Sequence, residues 1–360
     1  MSHVLECSYN PRPMALNKES VLAALRTVKD PELFKDIVTL NMVKDVRVDG
    51  STVHVHVELT TPACPMKETI KRDVEAAVKR IGAEHVHIEL SANTKGPMQP
   101  RKDLLPQVKN VVAVGAGKGG VGKSTIAVNI AVGLQRQGAA VGLMDGDIYG
   151  PSMPTLLGIK GKTPLVQNSK IIPFHVHGIH AITIGALVEE EKPLIWRGPM
   201  AHGAFKQLFC DNTLWPELDY LIVDLPPGTG DVPLTLCQLL PITGAVVVAQ
   251  PQQVALDDAV RAVRMFQQLG APILGMVENM SSEIFGRGGA QRAAQRLNLP
   301  FLGEIPLVTE LRVNSDAGTP LKNFEGDPKL KQALESMVTT LAGQISLRNM
   351  QPRTPELNVL

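Results

Sequence analysis

Cysteine and aromatic residues are scarce in this chain, and their scarcity excludes several classes of protein. Its 360 residues include only four cysteines, and no two of them are closer than 27 positions. Such spacing forms neither a disulfide framework nor a CxxC metal clip. Aromatic residues make up 4% of the chain, too few for an array of base-stacking platforms on single-stranded nucleic acid.

Charge excess and long apolar runs are also missing. Lys and Arg number 36 against 35 Asp and Glu, and a net charge of +1 does not favour non-specific binding to nucleic acid. No apolar run approaches the roughly 20 residues that span a bilayer. The amino terminus, MSHVLECSYNPRP, lacks the basic start and apolar core of a secretory signal. We therefore expect a cytoplasmic protein without membrane or nucleic-acid partners.

The length predicts two domains, at about 150 residues each. A segment rich in Pro, Gly and charge follows residue 90 and has the composition of a linker. Before it, Asn17 can cap a helix, Asp49-Gly50 can close a hairpin, and 65–81 has the apolar spacing of an amphipathic helix. The predicted divisions are a small α+β domain (1–92), a linker (93–108), a larger domain (109–345) and a flexible tail (346–360).

The larger domain alternates short apolar runs with helical stretches. The runs are near-continuous and of strand length, which is typical of a parallel sheet covered on both faces. The alternation predicts an α/β fold with a doubly wound, mostly parallel sheet. Predicted strands lie at 111–116, 140–145, 220–225, 245–250 and 273–279, and predicted helices at 123–137, 255–269, 288–297 and 329–345.

A phosphate-binding loop follows the first of these strands. The run from Gly117 to Ser124 fits G-x-x-x-x-G-K-[ST] at every fixed position and opens a helix, which makes the fold a P-loop NTPase. Lys123 can bind the β- and γ-phosphates, and the Ser124 hydroxyl can bind Mg²⁺. The expected contacts of ATP are Gly117, Lys118, Gly119, Gly120, Val121, Gly122, Lys123, Ser124 and Thr125.

Three aspartates end predicted strands near this loop. Asp224 follows the apolar run YLIV, where a carboxylate that holds Mg²⁺ is expected. Asp145 and Asp147 follow another strand, and a carboxylate there can orient the attacking water. The alternative for this second pair is a role as ordinary residues of a turn at the strand end.

Lys118 and six further motifs carry a family resemblance. A lysine second in GKGGVGKST resembles the deviant Walker-A ATPases, and MDGDIYGPSMP, IWRGPM, LDYLIVDLPPGTGD, VENM, IFGRGG and PFLGEIPL resemble the Mrp/ApbC-type iron–sulfur cluster carrier ATPases. The resemblance implies a homodimer in which Lys118 reaches the partner's phosphates. It implies that Asn279 contacts adenine, that Asp147 is the switch I aspartate and that Asp145 lies nearer the metal.

The small domain carries an independent resemblance. Asp30-Pro31-Glu32 and the run TTPACP resemble a domain of iron–sulfur assembly factors. Cys64, in that run, sits where a strand ends and a helix begins, and the helix dipole there favours a thiolate that can bind metal. Cys64 is therefore a candidate iron–sulfur ligand, and its alternative is a small buried core residue.

One feature departs from the resemblance. Many members carry a CPxC-type pair between the ENM and IFG motifs, whereas this chain reads Ser281-Ser282-Glu283 and has no cysteine there. The bridging cluster site of those members is therefore not expected in this chain. Cys210 and Cys237 are expected in the core. Three H-x-H pairs exist, and we interpret those beginning at His54 and His85 as the solvated side of strands that could be neighbours rather than as metal ligands.

The sequence thus predicts a slow Mg²⁺-dependent ATPase that carries iron–sulfur clusters to apoproteins. Its catalytic residues are Lys118, Lys123 and Asp147, and its metal ligands Ser124, Asp145 and Asp224. Two alternatives stay open: an assembly chaperone that binds no cluster itself, and a partition-type positioning ATPase.

Overall fold

The structure is a computed structural model that describes residues 16–30, 35–60, 67–92, 104–148, 150–186, 203 and 205–350. These residues fall into two compact units, one within the first 93 residues and the other from residue 104 onward. Cys7, Cys64, the Asp30-Pro31-Glu32 motif beyond Asp30, the IWRGPM motif and the last ten residues lie outside the described residues. No described helix has the length and apolar character needed to cross a bilayer.

The small unit is a three-stranded sheet with two helices on one face. Asn17 caps the first helix, its Oδ1 accepting from Ser20 N at 2.8 Å, as its sequence position predicted. Val53, Val55 and Val57 alternate with polar residues along the central strand and are buried against the helices. The elements are α1 (Lys18–Leu25), β1 (Val43–Asp49), β2 (Thr52–Leu59), α2 (Lys67–Lys79) and β3 (His85–Ala92). The strand order is β1-β2-β3, with β1 and β2 antiparallel and β2 and β3 parallel.

The large unit is built on an eight-stranded sheet with helices on both faces, so the predicted α/β fold is confirmed. The strands are β4 (Val108–Gly115), β5 (Val141–Asp145), β8 (Phe174–Val176), β9 (Ile179–Thr183), β10 (Leu218–Asp224), β11 (Ile242–Ala249), β12 (Ile273–Ser281) and β13 (Phe301–Pro306), with β6 (Val166–Gln167) and β7 (Lys170–Ile171) in a separate hairpin. The strand order of the sheet is β13-β12-β11-β4-β10-β5-β9-β8, and every neighbouring pair is parallel except β8 and β9.

The helices bury the sheet on both sides. β4, β10 and β11 lie in the middle, and each contains a continuous buried apolar run because both of their faces are covered. Two apolar clusters result, one on each side of the sheet. The helices are α3 (Lys123–Arg136), α4 (Met153–Leu156), α5 (Asp231–Leu239), α6 (Gln253–Gln268), α7 (Gly289–Arg296), α8 (Thr309–Asp316) and α9 (Pro328–Met350), with a π-helical turn at Lys206–Asp211 and 3₁₀ turns at Ile184–Ala186 and Pro320–Phe324.

Two boundaries differ from the sequence expectation. Helix α9 ends at Met350 rather than at Ile345, because Ser346 and Asn349 are buried and the last turn packs on the domain. Asn349 Nδ2 donates to Asn110 Oδ1 on β4 at 2.8 Å. At the other end, Leu105 is buried and β4 begins at Val108, so residues of the segment expected to be linker belong to the core and to the sheet.

Candidate nucleotide site

The phosphate-binding loop leaves the carboxyl end of β4 in the middle of the sheet and leads into α3. Gly120 and Gly122 adopt φ values of 78° and 81°, a left-handed conformation that favours glycine. Gly117 lies so close to the backbone of Asp258 that a side chain there would collide with it. A glycine-rich loop that leads into the amino end of a helix is an anion-binding arrangement.

Lys123, Ser124 and Asp224 form the polar centre of this site. Lys123 Nζ lies 2.7 Å from Asp224 Oδ1, and Ser124 Oγ donates to Asp224 Oδ2 at 2.6 Å. Lys123 and Asp224 are 5% and 0% exposed at their side chains, so the ion pair is shielded from water. Burial raises the pKa of the Asp224 carboxyl, although the neighbouring lysine opposes the shift. The sequence placed these three residues in one site, and the structure brings them together.

Asp147 and Asp145 occupy different positions beside this centre. Asp147 Oδ2 lies 3.4 Å from Lys123 Nζ. Asp145 instead accepts hydrogen bonds from Thr183 Oγ1 at 2.7 Å and from the Asp147 N–H at 3.1 Å. Burial, and then the charge of Asp224, raise the pKa of Asp145 to about 7. In this arrangement Asp145 holds the chain at Asp147, while Asp147 faces the lysine.

Asn279 lies on the other side of the loop, at the end of β12. Its Nδ2 donates to the Val121 carbonyl at 2.8 Å, and its buried Oδ1 has no hydrogen-bond partner among the described residues. Gly122 has no room for a Cβ because Asn279 Nδ2 fills that space. An unpaired buried amide oxygen costs free energy unless a donor meets it, and the exocyclic amine of adenine is such a donor.

The other predicted loop residues lie around this centre. The Gly120 carbonyl accepts weakly from Gln250 Nε2 at 3.4 Å, and the Thr125 carbonyl accepts from Asn129 Nδ2 at 2.8 Å. Gly119 is exposed and Lys118 half-buried, and no described residue forms an ion pair with Lys118. Sequence reasoning missed Thr183 and Gln250. The stretch IHAIT, which ends at Thr183, is a signal for its strand, but five residues that include a histidine form too short an apolar run to predict one.

Comparison with known proteins identifies the family to which this loop belongs. Residues 107–342 match the family described as NUBPL iron-transfer P-loop NTPase. The chain belongs to this family. Residues 18–90 match a second family, described as iron–sulfur cluster assembly protein. Membership of this family confirms that the large unit is a P-loop NTPase, whose loop binds a nucleotide. It also confirms the resemblance to cluster-carrier ATPases.

Relatives of similar length extend this finding. The chain is 46% identical to the iron–sulfur cluster carrier protein of Synechocystis over 351 residues, covering 92% of this chain and 99% of the relative. It is 40% identical to the carrier protein of the same name from Escherichia coli, covering 94% and 95%.

Solved structures agree on the fold. A nucleotide-binding protein from Archaeoglobus fulgidus, in complex with ADP, superposes with a TM-score of 0.56 at 34% identity, over 64% of this chain and 93% of that one. The cell division ATPase MinD of Pyrococcus furiosus gives a TM-score of 0.53 over 64% of this chain and 97% of that one, but at 23% identity it shows the fold alone.

Proposed function

We propose that this chain is a slow, Mg²⁺-dependent ATPase that works as a dimer in the cytoplasm and carries iron–sulfur clusters to apoproteins. The observation that carries the ATPase part is the contact of Lys123 and Ser124, at the start of α3, with the buried carboxylate of Asp224 at the end of β10. Membership of an iron-transfer NTPase family and relatives named as cluster carriers support the cargo.

The donors present fit Mg²⁺. This ion takes oxygen ligands in an octahedron and uses one or two protein groups beside phosphates and water. Ser124 Oγ and Asp224 Oδ2, 2.6 Å apart, are such groups. Bound Mg²⁺ would neutralise charge that develops on the phosphates. Ser124 and Asp224 are the first candidates because they contact each other beside Lys123, whereas Asp145 accepts from Thr183 Oγ1 and from the Asp147 N–H.

Nucleotide binding has a consequence for Lys123. Its ammonium is paired with Asp224, but the phosphates of ATP compete for it. In our mechanism Lys123 moves its contact to the β- and γ-phosphates, and the Asp224 carboxylate that it leaves would, with the Ser124 hydroxyl, hold Mg²⁺. Asp147, held by the Asp145 carboxylate through its own N–H, orients the attacking water. Hydrolysis reverses the exchange and relaxes the segment after Asp147.

The dimer would complete this site. Lys118 is half-buried in the loop, and in the proposed dimer its ammonium would contact phosphates bound by a second copy of the chain. Two charges from two chains on one nucleotide would make hydrolysis depend on assembly. That dependence gives a physical reason for slow turnover by the isolated protein.

The cluster needs ligands outside the ATPase centre. Residues 281–286 hold no cysteine, and Ser282 and Gly286 exchange backbone hydrogen bonds of 3.1 and 2.9 Å in a tight turn. Burial raises the pKa of the Cys210 and Cys237 thiols to about 12, which disfavours the thiolates that bind iron. We propose Cys64 as the ligand. The missing pair also favours a second candidate, a chaperone that delivers a metal cofactor without binding it.

Anaerobic reconstitution with iron and sulfide separates the two candidates. Wild type, Cys64→Ala and the control Cys237→Ala are compared by their thiolate-to-iron charge-transfer absorbance. We expect absorbance in wild type and Cys237→Ala and its loss in Cys64→Ala. No absorbance in wild type would favour the chaperone, and full retention in Cys64→Ala would remove Cys64 as a ligand.

Hydrolysis is tested separately. Lys123→Ala should abolish phosphate release, whereas Lys109→Ala should not, because Lys109 pairs with Asp219 at the opposite end of β4. Unchanged turnover in Lys123→Ala would contradict the assigned site.

A further inference from the structure

Two buried amide side chains from neighbouring strands contact successive carbonyl groups of the phosphate-binding loop. Gln250 follows β11 and Asn279 lies near the end of β12, and the two residues are only 8% and 2% exposed. Because β11 and β12 pair in parallel, their carboxyl ends meet at the same edge of the sheet. Gln250 Nε2 lies 3.4 Å from the Gly120 carbonyl oxygen, and Asn279 Nδ2 lies 2.8 Å from that of Val121. Asn279 was predicted from a motif, whereas Gln250 has no role in the mechanism above.

These contacts fix the direction of two peptide groups in the loop. A trans peptide is planar, so its C=O and its N–H point in opposite directions. The Gly120 carbonyl faces Gln250, which directs the Val121 N–H away from Gln250. The Val121 carbonyl likewise faces Asn279, which directs the Gly122 N–H away from Asn279. The N–H groups of such a loop bind phosphate oxygens, so Gln250 can act on phosphate binding without touching the nucleotide.

Met280 holds the Gln250 amide in place, and its own backbone is unusual. Met280 adopts a φ of 59°, a left-handed conformation that residues other than glycine rarely take. In a regular strand its side chain would point away from the face that Asn279 uses. Instead, Met280 Sδ lies 2.9 Å from Gln250 Nε2. The Gln250 amide carries two N–H donors, and the thioether and the Gly120 carbonyl are their acceptors.

We propose that Gln250 is a positioning residue for the nucleotide phosphates and that Met280 acts through it. The inference rests on the nucleotide-binding part of the proposed function. Backbone strain of the kind seen at Met280 clusters at ligand sites, where the surrounding structure maintains it. Since Gln250 orients groups that bind phosphate, its loss should weaken nucleotides equally, whatever their base. Loss of Asn279, whose unpaired Oδ1 suits adenine, should instead weaken ATP more than GTP.

The test is equilibrium binding of labelled, non-hydrolysable analogues of ATP and GTP to the full-length chain. Gln250→Leu keeps most of the side-chain volume and removes both donors. We expect the Kd values of both analogues to rise by the same factor, about fivefold, the effect of one hydrogen bond. In steady-state hydrolysis of ATP, KM should rise with little change in kcat, because the loop holds phosphates in the substrate and in the transition state alike.

A double-mutant cycle tests whether Met280 acts through Gln250. Met280→Leu nearly conserves volume, so it should fold normally, and it removes the sulfur acceptor. It should raise the Kd of both analogues, but by less than Gln250→Leu does. The double variant Gln250→Leu/Met280→Leu should bind like Gln250→Leu alone, because one residue acts through the other. Effects that simply multiply, or an unchanged Kd in Met280→Leu, would contradict the role of Met280.

The matched control is Gln137→Leu. Gln137 Nε2 donates to Thr339 Oγ1 at 3.0 Å, at the opposite end of α3 from the loop. Both Kd values should stay at the wild-type level in this variant. An unchanged Kd in Gln250→Leu, a change for the ATP analogue alone, or an equal change in Gln137→Leu would each overturn the proposal.

The measurements also separate this inference from the proposed function. Wild-type protein that binds the analogues but does not hydrolyse ATP would contradict the ATPase assignment. The role of Gln250 would then still stand, because Kd is measured without turnover. Absence of binding by wild type would overturn both.

Discussion

The Lys123 ammonium and the Asp224 carboxylate form a buried ion pair, with Nζ 2.7 Å from Oδ1. Each group comes from a different part of the chain: Lys123 opens α3, and Asp224 ends β10, the strand next to β4. Charges buried to this extent stay stable only as long as each has its partner. The stability of the phosphate-binding loop therefore depends on this pair and on any ligand that displaces one of its members.

Replacing Asp224 by Asn should reveal this coupling. The amide keeps the shape but removes the nearest counter-charge of Lys123, and the ion pair that remains among the described residues is with Asp147, at 3.4 Å. We expect the free energy of unfolding to fall by about 3 kcal/mol without nucleotide, since one partner of a buried pair is lost. Denaturant unfolding measures it. Asp219→Asn, which breaks the half-exposed pair with Lys109, is the control and should cost about 1 kcal/mol or less. Equal losses in the two variants would contradict the argument.

Thr183 should act on hydrolysis through Asp145. Its hydroxyl donates to Asp145 Oδ2 at 2.7 Å, and the other oxygen of that carboxylate holds the Asp147 N–H. Thr183→Val removes the donor, which should lower kcat by about tenfold with little change in KM, because positioning rather than substrate binding is lost. Steady-state phosphate release measures both constants.

Two comparisons separate positioning by Thr183 from general damage. Thr183→Ser keeps the hydroxyl and should restore most of kcat. Thr213→Val removes a hydroxyl of similar burial that donates to the Leu208 carbonyl at 2.6 Å. That variant should lose stability but keep kcat. A normal kcat in Thr183→Val would show that Asp145 needs no such support.

Asn279 should decide which base the site accepts. Its unpaired Oδ1 is an acceptor, which suits the amine of adenine and opposes the carbonyl oxygen of guanine. Asn279→Ala should raise the Kd of ATP by about tenfold, the equivalent of one hydrogen bond of about 1.4 kcal/mol. The Kd of GTP should change much less. Equilibrium binding of labelled nucleotides measures both, and an equal change for the two nucleotides would argue against base contact.

The fold and the centre of the site follow from local sequence to different degrees. The phosphate loop is contiguous, so its residues and the helix after it could be predicted from spacing alone. The central strands could be predicted because their burial on both faces leaves a continuous apolar run. Thr183 could not be linked to Asp145, because the contact joins residues 38 positions apart through the pairing of β5 with β9.

The two edge strands of the sheet also could not be predicted from the sequence. β8 has three residues and β13 contains Gly303 and Pro306, so neither shows the apolar run or the alternation that marks a strand. In the small unit the alternation of Val with His along β2 was clear. The alignment of His54 with His87 rests on the register between two strands, which no single-strand pattern contains.

The two described thiols should resist modification. Cys210 and Cys237 are 9% and 5% exposed, and burial raises the pKa of each to about 12. Native protein treated with iodoacetamide at pH 8 should carry no label at either position, whereas denatured protein should carry it at both. Peptide mass spectrometry locates the label. Labelling of native Cys237 would show that the core around this residue opens, and Cys237 would then again be a candidate iron ligand.

The same shifts predict how stability depends on alkaline pH. An unfolded thiol loses its proton near pH 8.5, whereas the folded Cys210 and Cys237 keep theirs until about pH 12. Between these values the folded state binds more protons, so the free energy of unfolding falls as pH rises, by up to about 1.4 kcal/mol per pH unit for each thiol. Cys237→Ala should therefore lose stability less steeply than wild type between pH 9 and roughly pH 10, a window above the unfolded thiol pKa. Denaturant unfolding at each pH measures the difference, in which the titration of lysines and tyrosines common to both proteins cancels. Parallel curves for the two proteins would mean that the thiol at residue 237 ionises as freely in the folded chain as in the unfolded one.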